Sequence, residues 1–294
     1  MKTTTLNGRD GLQLAADIDG DPRNPAVILL HGGGQTRHAW ARAFRELVAR
    51  GYHAISYDAR GHGSSQWAGD GDYSTDAMVA DLHAVIATLP RPPALVGASM
   101  GGICSLTAIG ESPRPIASAL VLVDVAPTIE RRGVEQIRRF MTANPQGFAT
   151  LQEAADAVAL YNPSRPRPKD PSGLMKNLRR GDDGRLYWHW DPRIISASQQ
   201  EHVAWLEAYE ARMLAASTQV RVPTLLVRGG DSDVVSPAGV RRFRELIAQA
   251  ETVDIAGAGH MVAGDRNDAF NAAVIGFLDR HLRRGVAAAR EPGR

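Results

Sequence analysis

Three features that often assign a protein to a class are scarce in this sequence: cysteine, net charge and long apolar runs. Cys104 is the only cysteine, so the chain can form no internal disulfide and no cysteine cluster of the kind that binds zinc. The longest apolar runs, such as Ile116 to Val123, are far too short to span a bilayer. No apolar stretch follows Lys2, so a signal peptide is not indicated. We therefore expect a cytoplasmic protein that needs no metal.

The charges of the 294-residue chain nearly cancel, because 34 basic side chains face 32 acidic ones and leave a formal charge of +2. So small and scattered an excess cannot form the basic field that binds nucleic acid. The C-terminal residues 284–294 contain alanine, glycine and proline, which predicts a flexible tail. Nucleic acid is therefore not an expected partner, and the sequence does not indicate the oligomeric state.

Short segments of β-branched and aliphatic residues alternate with segments of helical periodicity. This pattern is typical of the α/β class, in which helices cover both faces of a mostly parallel sheet. The predicted strands are Leu12 to Ile18, which alternates like one strand of an edge hairpin, and Ala26 to Leu30, His53 to Tyr57, Ala94 to Val96, Ala119 to Val123, Thr224 to Val227 and Thr252 to Ile255. The predicted helices are Ala39 to Ala49, Thr75 to Leu89, Ser99 to Ile109, Ala238 to Gln249 and Asp268 to Leu282.

The alternation stops between two of these strands, which indicates an insertion. We expect residues 1–127 and 206–283 to form the core and residues 128–205 to form a cap. Four prolines between Tyr161 and Gly173 predict a surface loop. The segment from Gly181 to Gly184 predicts a hairpin turn, and the aromatic run from Leu186 to Trp190 predicts the strand that follows it.

A G-x-S-x-G motif lies at the end of a predicted strand and the beginning of a predicted helix. Its central Ser99 has Gly97, Ala98 and Gly101 close by, and such small residues permit the tight turn that exposes a nucleophilic hydroxyl. The alternative is a glycine-rich turn with a serine that caps the helix. The strand-to-helix setting favours the nucleophile, with the amide of Met100 as a donor to an oxyanion.

Two further segments supply partners for a nucleophilic serine. The glycines after His31 let the backbone approach a ligand, and we expect Gly33 to give the second oxyanion-hole amide, although a flexible turn alone would explain the segment. Of nine histidines, only His260 lies in a loop between a late strand and a final helix, which favours it as the base. His31 and His62 suit structural hydrogen bonds better, and His189 is the other histidine that merits a test.

The base requires a carboxylate that orients it. Asp231 and Asp233 both follow the predicted strand that ends at Val227, and either could provide it. The order Ser99, Asp233, His260 agrees with the order of serine, acid and histidine expected for such a fold.

From about Leu12 to Leu282 the sequence resembles the α/β-hydrolase superfamily. The segment His31 to Gly34 is similar to the oxyanion loop of that family, and Asp58 to Ser65 is similar to its D-x-R-G-x-G-x-S segment. The resemblance of Gly230 to Asp233 to a G-x-x-D turn implies that Asp233 is the acid. The pattern is most similar to small capped esterases, enol-lactonases, cofactor-free haloperoxidases and carbon–carbon bond hydrolases.

The resemblance implies a serine hydrolase that cleaves a carboxylic ester or lactone without a cofactor. Carbon–carbon bond hydrolysis, perhydrolysis and a ligand receptor that retains the triad remain alternatives. Ser99 differs from the nucleophilic aspartate of epoxide hydrolases and haloalkane dehalogenases. For the substrate we expect contacts with Gly34, Tyr187, Trp188 and Trp190, or else the tryptophans form the core of the cap itself.

Overall fold

A sheet of eight strands forms the centre of the computed structural model, which describes residues 1–162, 169–195, 199–262 and 267–283. The strands are β1 (Lys2–Asn7), β2 (Gln13–Asp19), β3 (Ala26–Leu30), β4 (His53–Tyr57), β5 (Ala94–Ala98), β6 (Ala119–Val123), β9 (Thr224–Gly229) and β10 (Glu251–Ile255). Their spatial order is β1-β2-β4-β3-β5-β6-β9-β10. The pairs β1 with β2 and β2 with β4 are antiparallel, and the later pairs are parallel.

The central strands are apolar on both faces because helices cover both sides of the sheet. One face packs against α1 (Ala41–Ala49) and α8 (Asn267–Leu278), which contribute buried Phe44 and Phe270. The other face packs against α2 (Thr75–Ile86), α3 (Met100–Glu111) and α7 (Pro237–Leu246). The predicted α/β class with helices on both faces is therefore confirmed.

Strand β1 is the one strand of the main sheet that the sequence did not predict. Its residues, KTTTLN, are mostly exposed at the antiparallel edge, so no buried apolar pattern marks it. The helix predicted from Asp268 to Leu282 ends earlier, at Leu278, and continues as a π-helical turn over Asp279–Arg283.

A long connecting segment, residues 124–223, joins β6 to β9. It contains α4 (Arg131–Thr142), α5 (Leu151–Tyr161), the antiparallel pair β7 (Leu178–Arg180) and β8 (Leu186–Trp188), and α6 (Gln199–Ser217). A cluster of its own, which includes Met141, Phe148 and Leu186, is buried within it. The hairpin predicted around Gly181 to Gly184 is thus present.

Helix α6 bears on the expected cap boundary. It continues from residue 199 to 217, so a boundary between residues 205 and 206 falls inside one helix. Its later side chains, Tyr209 and Met213, belong to the core beside the sheet. The predicted loop from Tyr161 to Gly173 is only partly covered, because residues 163–168 lie outside the described residues. The predicted tail at 284–294 and residues 196–198 and 263–266 lie wholly outside them.

Within the described residues, none of the helices combines the length and the hydropathy that a bilayer crossing requires.

Candidate active site

Ser99 stands in the sharp turn between β5 and α3. Its backbone angles are φ 45° and ψ −113°, in the left-handed half of conformational space that non-glycine residues seldom occupy. A Cβ atom on Gly97 would lie 2.4 Å from Gly101 O, and one on Gly101 would lie 2.4 Å from Leu30 O. The turn therefore requires glycine at both positions, as the motif predicted, and it holds Ser99 in a strained backbone conformation.

His260 lies in the loop that follows β10, and its imidazole Nδ1 is 2.7 Å from Asp124 Oδ2. Asp124 directly follows β6 and is completely buried, with a φ of 49°. Its other oxygen, Oδ1, accepts the N–H of Gly229 at 2.9 Å. A buried carboxylate at this position fixes the imidazole so that Nδ1 carries the proton and Nε2 is left to accept one.

Asp124, rather than the expected Asp233, is the carboxylate that contacts His260. Asp233 and Asp231 are both exposed, and the N–H of Asp231 donates to Ala258 O. The turn after β9 contributes the hydroxyl of Ser232 instead, which donates to Asp124 Oδ2 at 2.6 Å. The G-x-x-D turn therefore lies next to the carboxylate that contacts His260, but it contributes the Ser232 hydroxyl to that contact and not the predicted Asp233.

A sequence signal for Asp124 did exist. It is the first residue after the buried apolar strand Ala119–Val123, at the carboxyl edge where parallel sheets place functional side chains. The N–H of Ser99 donates to Val123 O at 3.1 Å, so the nucleophile turn and the acid begin from adjacent strand ends. The order of serine, acid and histidine along the chain is unchanged.

The two residues predicted to supply oxyanion-hole amides, Gly33 and Met100, both border the cavity that Ser99 also borders. Met100 is the first residue of α3, so its N–H has no partner within the helix. A Cβ atom on Gly32 would lie 3.5 Å from Ser99 Cβ, and one on Gly33 would lie 4.0 Å from Met100 Sδ. The 32–35 loop, residues Gly32 to Gln35, therefore runs directly past the nucleophile and the start of α3.

Three buried histidines lie behind this loop. The ring centres of His31 and His62 are 5.1 Å apart, and those of His62 and His189 are 5.9 Å apart. Burial lowers the pKa of His31, lowers that of His62 well below its usual value, and lowers the pKa of His189 to about 4. All three imidazoles are therefore neutral at neutral pH, as their positions in a hydrogen-bonded interior require.

A cavity of about 1240 Å³ borders Ser99, Met100, Gly33 and His260. Much of its wall is apolar and comes from the connecting segment, including Ile137, Phe140 and Val158. Such a cavity, apolar with a few polar groups at one place, is typical of a small-molecule site. No group of three His, Cys, Asp or Glu side chains in the described parts of the chain is arranged to bind a metal ion.

Of the expected substrate contacts, Gly34, Trp188 and Trp190 border the cavity. The two indoles stack with ring centres 5.1 Å apart, and both also belong to the buried cluster of the connecting segment. Tyr187 alternates to the other face of β8, where its hydroxyl donates to Asp183 Oδ2 at 2.7 Å and its ring lies 5.0 Å from the Arg179 guanidinium. The expectation that Tyr187 forms a pocket wall is therefore wrong.

The structure thus places a strained serine and a histidine held by a buried carboxylate on the wall of the same cavity. A family model described as alpha/beta hydrolase fold matches residues 25–266, and the chain belongs to that family. The chain is 30% identical over 267 residues to the esterase Rv0045c of Mycobacterium tuberculosis, a match that covers 87% of this chain and 83% of the relative.

Two other comparisons extend this result. The chain is 28% identical over 272 residues to the sn-1-specific diacylglycerol lipase ABHD11 of Mus musculus, covering 89% of this chain and 83% of the relative. The crystal structure of E-2-(acetamidomethylene)succinate hydrolase superposes with a TM-score of 0.80 at 23% identity, covering 95% of this chain and 99% of that one. At that identity the second comparison shows the fold alone.

Proposed function

We propose that this protein is a serine hydrolase that cleaves a carboxylic ester, or a lactone, through an acyl-enzyme formed on Ser99. The observation that carries the proposal is the 2.7 Å contact between His260 Nδ1 and the buried Asp124 carboxylate, on the cavity that Ser99 also borders. Two of the relatives are an esterase and a lipase, which supports ester bonds as the substrate class.

In the proposed mechanism, His260 Nε2 takes the proton of the Ser99 hydroxyl as its oxygen attacks the substrate carbonyl carbon. The electron pair of the C=O bond moves to oxygen, and the amides of Gly33 and Met100 donate to that oxyanion. Collapse of the intermediate breaks the ester bond, and the leaving alcohol receives the proton from His260. Asp124 stabilises the imidazolium that exists between these two transfers.

Water then attacks the carbonyl carbon of the acyl-enzyme, with water as the nucleophile and the Ser99 oxygen as the leaving group. His260 takes a proton from water, and the second tetrahedral intermediate collapses with transfer of that proton to the Ser99 oxygen. The products are a carboxylic acid and the regenerated serine. With a lactone the alcohol stays attached to the acyl group, so the product is a single hydroxy acid.

The apolar part of the cavity wall favours a substrate with an apolar acyl group. Trp190 and Met141 form the part of the wall that approaches the 32–35 loop. A Cβ atom on Gly34 would lie 3.3 Å from a ring carbon of Trp190 and 3.3 Å from the methyl group of Met141. Phe140 and Trp188 continue this wall, with ring centres 5.5 Å apart. We infer that the connecting segment from residue 128 to about residue 205 acts as the cap.

Hydrolysis of p-nitrophenyl esters from acetate to decanoate, and of lactones of graded ring size, tests the proposal. We expect turnover by the wild type, labelling of Ser99 by a fluorophosphonate, and a loss on the order of 10⁶ in kcat for Ser99→Ala. Equal hydrolysis by Ser99→Ala would overturn the assignment. Parallel assays with hydrogen peroxide and with vinylogous diketones detect perhydrolysis and carbon–carbon bond cleavage, the two other reactions that the same residues could perform.

A further inference from the structure

We propose that His189 of the connecting segment is a positioning residue for the oxyanion hole. Together with His31 and His62 it holds three consecutive peptide groups of the 32–35 loop, so that the N–H of Gly33 stays directed at the Ser99 site. The inference rests on the proposed function of Ser99 and adds to it a residue from outside the triad and the loop.

The direction of the Gly33 N–H depends on its peptide group, because that N–H and the Gly32 carbonyl belong to one rigid plane and point opposite ways. Gly32 O accepts a hydrogen bond from His31 Nδ1 at 2.8 Å and a second from the N–H of Gln35 at 3.1 Å. His31 therefore fixes the first of the three peptide groups.

The next two peptide groups meet at Gly34, which has a φ of 71°. Its N–H donates to His62 Nε2 at 3.2 Å, and its carbonyl oxygen lies 3.2 Å from His189 Nε2. Glycine has little conformational preference of its own at this φ, so neighbouring groups must hold it in place. His62 and His189 are the groups that do so.

The opposite nitrogen of each ring determines which nitrogen carries the proton. His189 Nδ1 accepts the N–H of Gly63 at 2.7 Å, so its Nε2 carries hydrogen and donates to Gly34 O. His31 Nε2 accepts the N–H of Ala59 at 2.9 Å, and its Nδ1 is therefore the donor. His62 accepts from Gly34 through Nε2, and its Nδ1 donates to Arg60 O at 3.1 Å.

His189 thus provides a hydrogen-bonded link between the connecting segment and the 32–35 loop, in addition to the packing of Trp190 and Met141 against Gly34. His189 is 4% exposed. Its sequence neighbours Trp188 and Trp190 border the cavity, and its own ring contacts Gly34 of the 32–35 loop. The backbone beside it is anchored independently, since the N–H of Asp191 donates to Gly61 O at 2.9 Å and the Asp191 carboxylate accepts from Tyr73. A change at His189 should therefore act locally.

Three substitutions separate the two hydrogen bonds of His189. In His189→Gln the side-chain amide nitrogen can replace Nε2 and still donate to Gly34 O. In His189→Asn the amide oxygen can replace Nδ1 and accept from Gly63, but the side chain is too short to reach Gly34. His189→Leu retains neither bond, and His83→Leu, at a half-buried histidine of α2, is the matched control.

We expect kcat for a p-nitrophenyl ester to fall about 10- to 100-fold in His189→Asn and His189→Leu, with KM within about threefold of wild type. His189→Gln should retain kcat within about fivefold, and His83→Leu should match the wild type. The affinity for a trifluoromethyl ketone, whose adduct with serine carries an oxyanion, should fall in parallel with kcat. The affinity for the product alcohol, which places no anionic oxygen in the oxyanion hole, should stay unchanged, which a general loss of structure would not allow.

Long-range ¹H–¹⁵N spectra of the histidine rings in the wild-type protein provide a test that does not depend on any variant folding. We expect His189 in the Nε2–H form at neutral pH, and His31 and His62 in the Nδ1–H form. A charged His189, or His189 in the Nδ1–H form, overturns the inference, and so does unchanged kcat in His189→Leu. A wild type that hydrolyses no ester and is not labelled at Ser99 refutes the proposed function and this inference with it.

Discussion

His260 is paired with Asp124, a residue that lies at the end of β6, whereas the carboxylate expected from the sequence lies in the turn after β9. The pairing is supported on both sides of the carboxylate, by Gly229 through Oδ1 and by Ser232 through Oδ2. The two strands that provide these groups are neighbours in the sheet, with Val123 beside Val227. The acid is therefore held by the end of one strand and supported by the turn of the next.

Asp124→Asn should lower kcat on the order of 10⁴, because an amide at this position favours the wrong imidazole tautomer. Asp233→Asn is the matched control and should leave kcat within about twofold, since the Asp233 side chain is exposed. Steady-state kinetics and a thermal melt of each variant check the expectation. A larger loss in Asp233→Asn than in Asp124→Asn, at equal folding, contradicts the assignment.

Gly101→Ala should destabilise the fold by about 3 kcal/mol or prevent folding, because the new methyl group would meet the backbone carbonyl of Leu30. Gly69→Ala makes the same chemical change at an exposed position with no atom within 4 Å of the new Cβ, and it should alter stability by less than about 0.5 kcal/mol. Urea unfolding of both variants measures the difference. Equal midpoints would show that the turn tolerates a side chain.

Trp190→Phe should shift the preference toward bulkier acyl groups, because the smaller ring leaves space beside Gly34. Each methylene that gains an apolar contact is worth about 0.8 kcal/mol, so the ratio of kcat/KM for octanoate to that for acetate should rise several-fold. Tyr187→Phe removes only the hydrogen bond to Asp183 and should leave this ratio unchanged. A changed ratio in Tyr187→Phe and not in Trp190→Phe would show that Tyr187, and not Trp190, contacts the acyl group.

Lowering the pH from about 7 to 4 should reduce the free energy of unfolding. The folded state holds the pKa of His189 at about 4, chiefly through burial, whereas an unfolded histidine takes up its proton near 6.5. The unfolded chain binds more protons than the folded chain between pH 4 and 6.5. The contribution of His189 to the free energy of unfolding is therefore fully present above about pH 6.5, and about 3 kcal/mol of it is lost as the pH falls to 4. His31 and His62 act in the same direction, and the Asp58 carboxylate opposes the shift for His189.

Urea unfolding at pH 7, 6, 5 and 4 measures this dependence, and His189→Gln should give a shallower decline than the wild type. If the free energy of unfolding fell equally with pH in His189→Gln and in the wild type, His189 would not contribute to the pH dependence.

The sequence predicted those parts of the fold and site that depend on local patterns. Segments of β-branched and aliphatic residues, one of them alternating, marked seven of the eight strands of the main sheet, and the glycines around Ser99 marked the tight turn. Strand β1 has too little buried apolar surface to show such a pattern. Asp124 depends on strand order, because only the placement of β6 between β5 and β9 brings it to His260.

The cap boundary and the aromatic wall have a similar explanation. Helix α6 crosses the expected boundary at residues 205 and 206 without a break, and its later residues pack in the core beside the sheet. No change in local composition therefore marks that boundary. Alternation along β8 correctly separated Tyr187 from Trp188, but it could not say which face borders the cavity. That choice is made by the packing of Trp190 and Met141 against Gly34, a contact between distant parts of the chain.

Three non-glycine residues in the described part of the chain have positive φ, and two of them are Ser99 and Asp124. At Ser99, glycine would relieve backbone strain of about 1 kcal/mol or more, so selection for folding alone would favour it there. At Asp124, glycine would also remove the buried carboxylate that accepts hydrogen bonds from Gly229 and Ser232, and this loss would offset the relief. Directed evolution toward thermostability without a screen for turnover should therefore replace Ser99 early and retain Asp124. Loss of the serine from the enriched variants would show that this residue is retained for activity and not for stability.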